Sequence, residues 1–273
     1  MTEHTFTTPE PVELYVELGS GHLATRAEET GTTRVEITGP RADEFEVEQH
    51  GRTISVVAPR QRFGFGGNDQ HTVEVTLPTG SDLAGKIGSA DTVAAGTYHA
   101  VRLKTGSGDV EVEATTGPTA IDSGSGDVSC RRVGGDLRVK SGSGDVELGE
   151  VHGSVGISTG SGDVALGRAS GSAVLKTGSG DLRVQQMEAD LQLTTASGDL
   201  LVRQAARGRL TAKSASGDVL VGVTEGTPVW TDISTVTGSV SSDLPSAGRP
   251  EDGQDHLEVR ATSVSGDIRL KRA

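Results

Sequence analysis

Through the middle of the chain, apolar and polar residues alternate with a period of two. After each of a series of aspartates the first and third residues are apolar: Val110 and Val112, Val146 and Leu148, Val164 and Leu166, Leu182 and Val184. The residues between them are charged or small, as at Glu111, Glu147, Ala165 and Arg183. Such alternation turns one set of side chains to a core and the other to water, as in a half-buried β-strand. Glycine, serine and aspartate interrupt every run after a few residues, which leaves no room for a helix of useful length.

The interruptions are regular. The segment "KTGSGDVEV" at Lys104 returns as "KSGSGDVEL" at Lys140 and "KTGSGDLRV" at Lys176. Its aspartate falls at Asp91, Asp109, Asp127, Asp145, Asp163, Asp181 and Asp199, 18 residues apart each time. Asp218 follows after 19, and Asp267 closes the series beyond an insertion. Asp136 in "GGDLRV" and Asp190 in "EADLQL" lie nine residues before Asp145 and Asp199. Each coil therefore divides into two halves, a short strand and a turn apiece. A fixed period of about 20 residues marks a solenoid. The prediction is an all-β chain, a flattened β-solenoid whose two sheets face each other across a narrow core. About seven coils are expected between Asp91 and Val221.

The turn chemistry follows from the same phase. Thr105, Ser123, Ser141, Thr159, Thr177, Thr195 and Ser214 precede the turns at inward positions, where a hydroxyl can bond exposed turn amides. Glycine is expected to supply positive φ, and aspartate to accept N–H bonds across its own turn. Outward lies the column Lys104, Asp122, Lys140, Ser158, Lys176, Thr194, Lys213, in which no two lysines are neighbours. Like charges opposed across a ladder are destabilising, so this order reads as avoidance. A coil of four strands and 36 residues would give the same order.

The flanks are less regular. Residues 1–85 carry strands such as "VELYVEL", "TRVEIT" and "HTVEVTLP", with a glycine-rich loop "RQRFGFGGNDQH" from Arg60 to His71. They are expected to lead into and cap the solenoid of residues 86–273, within one continuous domain. "LGSGHL" at Leu18 resembles the motif turn, with His22 in the aspartate position. "PSAGRPEDGQDH", from Pro245 to His256, reads as an inserted loop.

Composition narrows the function. The net charge is −13, which argues against nucleic acid and anionic membrane as partners. No segment approaches the length of a membrane span, so direct membrane insertion is not expected. Aromatic residues make up only 3%, so the core must be built from Val, Leu, Ile and Ala. The single cysteine, Cys130, allows no internal disulfide and fits a reducing compartment. The N-terminus shows neither the basic nor the apolar region of a signal peptide. Together these features predict a cytoplasmic protein.

The strand ending in Leu-Pro, "HTVEVTLPTGSDLAGKIGSADT" from His71, and the serial "SGSGDV" turns from Ser123 onward resemble the toastrack-type domain. This bacterial β-strand-repeat family has no known function and is often labelled "putative adhesin". The resemblance covers nearly the whole chain. It implies a β-solenoid, in some members attached to membrane segments or envelope-stress systems, and it brings no catalytic residues.

Chemistry is hard to find. Gly156–Gly160 spells G-x-S-x-G, but that motif needs a strand-to-helix turn and here falls inside an ordinary repeat. His4, His22, His50, His71, His99, His152 and His256 show no metal-ligand spacing and are expected on the surface or in loops. Cys130 is expected to be a buried, inert hydrophobe. Trp230 is expected to cap the core where the repeat degenerates. No catalytic, cofactor-binding or metal-ligating residue is assigned, and no cofactor. The leading expectation is a non-catalytic scaffold or protein-interaction module with an unidentified protein partner. A calcium-binding β-roll is the alternative, since such rolls also use 18-residue coils. Their repeat, however, separates the last glycine from the aspartate by one residue, and here Gly108-Asp109 and Gly144-Asp145 are adjacent. A carbohydrate-active β-helix enzyme is the third possibility.

Overall fold

A computed structural model describes residues 1–59, 70–244 and 256–273. The expected loops at Arg60–His71 and Pro245–His256 fall largely outside the described residues. Every described element is a strand except the 3-10 turn Ala42–Glu44. The inward residues lie where alternation places them. Val110, Val112, Val146, Leu148, Val164, Leu166, Leu182 and Val184 all expose 2% or less. A coil contains two strands and 18 residues: Leu103 registers on Ile121, and Val164 on Leu182, in parallel ladders.

The chain divides into two compact units, Met1–Gly135 and Asp136–Ala273. In the first, one sheet stacks Thr2–Thr7, Thr32–Thr38, His71–Pro78, Gly21–Glu28, Asp91–Tyr98, Val110–Thr115 and Val128–Val133 in that order. The other stacks Glu46–His50, Thr53–Val57, Glu13–Leu18, Asp82–Ile87, Val101–Thr105 and Thr119–Ser123. The coil Glu13–Glu28 is thus held between a later coil on its outer side, Thr53–Val57 with His71–Pro78, and Asp82–Tyr98 on its inner side. Antiparallel strands close this end: Thr2–Thr7 on Thr32–Thr38, and Glu46–His50 on Thr53–Val57. Among the described residues Tyr98 is the largest fully buried side chain, and its hydroxyl donates to Thr25 Oγ1 at 2.7 Å. This aromatic anchor was not apparent from the repeat, because the residues in register with it in the next two coils are Thr115 and Val133.

The second unit ends in a similar way. One sheet stacks Val146–Val151, Val164–Ala169, Leu182–Met187, Leu200–Ala205, Val219–Val223, Ile268–Arg272 and Val240–Ser242. The other stacks Leu137–Ser141, Val155–Thr159, Ala173–Thr177, Leu191–Ser197, Gly208–Ser216, Leu257–Ser265 and Val229–Thr235. The last segment in sequence, Leu257–Arg272, fills the penultimate slot. The earlier segment Val229–Ser242 lies outside it. Val259 is fully buried between the two neighbours, whereas Val240 in the outer coil is 51% exposed.

Three expectations need correction here. Trp230 does not cap the core: it registers on Glu258 at an outward position of the sheet and lies 37% exposed, with the Arg260 guanidinium 5.7 Å from its ring. The residues of that strand in register with the buried ones of its neighbour are Val229, Thr231, Ile233 and Thr235. His71 is buried at 7%, with its ring nitrogen Nε2 2.7 Å from the Pro40 carbonyl oxygen and its edge against Phe45. It opens a strand whose inward phase includes position 71. The lysine column begins one coil earlier than expected, so Lys86 and Lys104 are direct neighbours. Glu17, 3.0 Å from Lys86, and Asp122, 4.0 Å from Lys104, offset the repulsion.

Candidate functional site

The motif aspartates form a ladder along one edge of the sheet. Each Oδ1 accepts the backbone N–H of the corresponding residue one coil on. Asp91 accepts from Asp109 at 3.1 Å and Asp109 from Asp127 at 2.9 Å. In the second unit Asp145, Asp163, Asp181 and Asp199 accept in turn from Asp163, Asp181, Asp199 and Asp218, each at 2.8 Å. Asp218 accepts from Asp267 at 2.8 Å, across the 49 residues that separate them in sequence. Asp267 accepts from Ser239, which takes the aspartate's place in the outer coil. These bonds run from coil to coil and not within the aspartate's own turn. The serines within these turns, such as Ser107, Ser125 and Ser143, stand exposed. The opposite turns repeat the device more sparsely, with Asp82 accepting from Ala100, Asp136 from Ser154 and Asp190 from Arg209.

The inward hydroxyls mostly donate to carbonyls instead of accepting from amides. Thr105 Oγ1 donates to Gly108 O at 3.1 Å and Ser123 Oγ to Gly126 O at 2.8 Å. Thr177, Thr195 and Ser214 donate to the glycine carbonyl of the preceding coil. Only Ser141 also accepts an amide among the described residues of this column, from Gly144 at 3.0 Å. The glycine before the aspartate is required by contact, and at Gly180, Gly198, Gly217 and Gly266 by a positive φ of 145–159° as well. A Cβ on Gly126 would sit 2.1 Å from the Gly108 carbonyl oxygen, and one on Gly162 the same distance from that of Gly144. Neither has positive φ.

This arrangement leaves the aspartates little metal chemistry. One oxygen of each carboxylate is already engaged by an amide, while calcium takes six to eight oxygens. No group of three or more His, Cys, Asp or Glu is placed to hold a metal ion among the described residues. Ser158 of G-x-S-x-G lies mid-strand and outward, between Lys140 and Lys176 in register. It has no strand-to-helix turn. Cys130 is 2% exposed, and burial pushes its thiol up to about 12. A thiol held protonated in this way is a poor nucleophile.

The outer face of the second unit is more distinctive. Where earlier coils carry Glu147 and Ala165, the same outward row continues with Arg183, Leu201, Leu220 and Arg269 in register. The two half-buried leucines form a low ridge. On one side lies a cleft of about 290 Å³ walled by Asp181, Asp199, Asp218 and Asp267 with the two arginines. On the other is a cleft of about 480 Å³ lined by Gln185, Arg203, Gln204, Lys271 and Arg272. Arg183 is held by Asp163 at 3.0 Å and Asp181 at 2.5 Å. The helix-free sequence signal for this face was two apolar residues at outward positions, Leu201 and Leu220.

Solved structures of similar fold include a "putative adhesin" from Parabacteroides merdae, 10% identical, which aligns over 99% of this chain and 96% of its own with a TM-score of 0.40. Another "putative adhesin", from Bacteroides fragilis, is 13% identical over 99% and 96% of the two chains with a TM-score of 0.34. A "putative lipid binding protein" from Parabacteroides distasonis is 14% identical over the same shares, with a TM-score of 0.35. No protein of curated function matches. The family model described as Toastrack DUF4097 matches residues 12–271, and the chain belongs to that family.

Proposed function

We propose that the protein is a non-catalytic scaffold that binds a protein partner through the outward faces of its sheets. One observation carries this reading. Inward and turn positions keep the same chemistry from coil to coil, while the outward row runs Glu147, Ala165, Arg183, Leu201, Leu220, Arg269. The repeated polar groups are engaged in holding the coils together, and the variable surface is left free to discriminate. Solenoids bind through such extended side faces. The shortage of lysine and arginine overall sets nucleic acid and anionic membrane aside as partners.

A photo-crosslinking amino acid placed singly at outward positions, such as 147, 165 and 201, would test this in the producing cell. Discrete adducts with a second protein at some outward positions, and none at turn position 107, are expected. Absence of an adduct at every outward position in both units would reject the reading.

A further inference from the structure

We propose that the face carrying Leu201 and Leu220 is the contact surface of a weak, symmetric dimer of this chain. Three rows cross the strands of the second unit there. Asp199, Asp218 and Asp267 form an acidic row. Leu201 and Leu220 form an apolar row two residues further along the strands, and Arg203 and Lys271 a cationic row two residues beyond that. At roughly 3.3 Å per residue the rows are about 7 Å apart. Arg203, Lys271 and Arg272 make no ion pair among the described residues.

The order acid, apolar, base is complementary to itself when reversed. A second copy turned by half a revolution about an axis lying in the face and running across the strands presents base, apolar, acid. Set half a row aside, the leucine ridge of each copy enters the cationic cleft of the other. Arg203 and Lys271 then enter the partner's acidic cleft, beside Asp199 and Asp267. Every such contact is made twice, as an isologous interface requires. The offset also keeps Arg183 and Arg269 from meeting their own copies head-on. Two copies of a chain with net charge −13 repel at long range, and unpaired cations gathered on one face offset that repulsion locally.

The size of the face sets the strength. Four strands about 4.8 Å apart and five residues long cover roughly 300 Å² per copy. Stable complexes bury about 1,200–2,000 Å² in total, so dissociation in the range of about 0.1 mM is expected.

Sedimentation equilibrium of the full chain from about 5 μM to 1 mM tests the proposal without reference to any other partner. The weight-average mass should climb from 28.0 kDa toward twice that value. The double variant Leu201→Glu/Leu220→Glu should stay at 28.0 kDa with an unchanged circular dichroism spectrum and melt. Arg203→Glu/Lys271→Glu should weaken the dimer at least ten-fold, and Glu111→Lys should leave it unchanged. A monomer across the whole range overturns the proposal, leaving the face to a different partner. A dimer of equal strength in both double variants also overturns it.

Discussion

At the scale of single residues, the motif aspartate is a link between coils. An exposed column of like charges is unfavourable in itself, and each carboxylate is retained for the acceptor it offers to the next coil. That separates two substitutions. Asp109→Asn keeps an oxygen acceptor for the Asp127 amide and removes a charge, so it should change stability by under about 0.5 kcal/mol. Asp109→Ala removes the acceptor and should cost about 1–2 kcal/mol. Urea melts of the two variants decide; equal costs would mean that the bond contributes nothing. The turn glycine gives a second contrast. Gly162→Ala drives a Cβ to 2.1 Å from the Gly144 carbonyl oxygen, whereas Gly31→Ala meets nothing within 4 Å. The first should cost about 1–3 kcal/mol through forced separation of adjacent coils, and the second should be near neutral.

These residue-level roles were only half legible beforehand. Periodicity located every aspartate, hydroxyl and turn glycine of the repeat. It could not show the direction of the bonds, because an acceptor that reaches 18 residues along the chain and one that closes its own turn demand the same residue. Trp230 and His71 were misplaced for a related reason. Both lie where the repeat fails, and only the register with a neighbouring strand decides which way a side chain points.

At the scale of elements, each unit places a coil near a chain terminus between two others, with a segment from further inside the chain stacked on its outer side. At one end His22 registers beside Asp91, as the motif-like "LGSGHL" indicated. At the other the motif resumes at Asp267 after a break, and the ladder from Asp218 passes straight to it. The motif thus marks the coils in spatial order, although not in chain order. Sequence showed the break but not that the segment after it steps back inside. The consequence is measurable. Val259→Asp, at a site with 0% exposure, should destabilise by more than about 3 kcal/mol, because it puts an unpaired charge between two packed coils. Ile233→Asp, in the half-open outer coil, should cost less than half as much. Amide exchange should likewise be faster in Val229–Thr235 than in Leu257–Ser265, since the outer coil can open without disturbing the inner one. Equal protection would place the two coils in one cooperative unit.

At the scale of the whole molecule, an excess of acid and a hydrogen-bonded carboxylate ladder act in opposite directions on pH dependence. Self-repulsion of the net negative charge diminishes as the solution approaches the isoelectric point near 5.0. Below that, the carboxylates engaged in the fold begin to protonate. The Ser239 backbone and hydroxyl bonds hold the Asp267 carboxyl below its usual value, and the Arg209 hydrogen bond does the same for Glu258. A depressed carboxyl gives stability that is fully present above the ordinary range of about 4 and is lost as pH falls through the folded-state value. The melting temperature should therefore hold level or rise slightly from pH 7 to 5, then fall below about pH 4. The outer coil Val229–Ser242, which Asp267 ties to the inner one through Ser239, should open first. Because amides, not cations, occupy the ladder, chelator and millimolar calcium should leave the curve within a few degrees of itself at every pH. A steady loss of stability between pH 7 and 5 would trace the acid response to histidine instead of the carboxylates, and a fold that collapses in chelator would show that a metal ion, beyond the amides, holds the coils together.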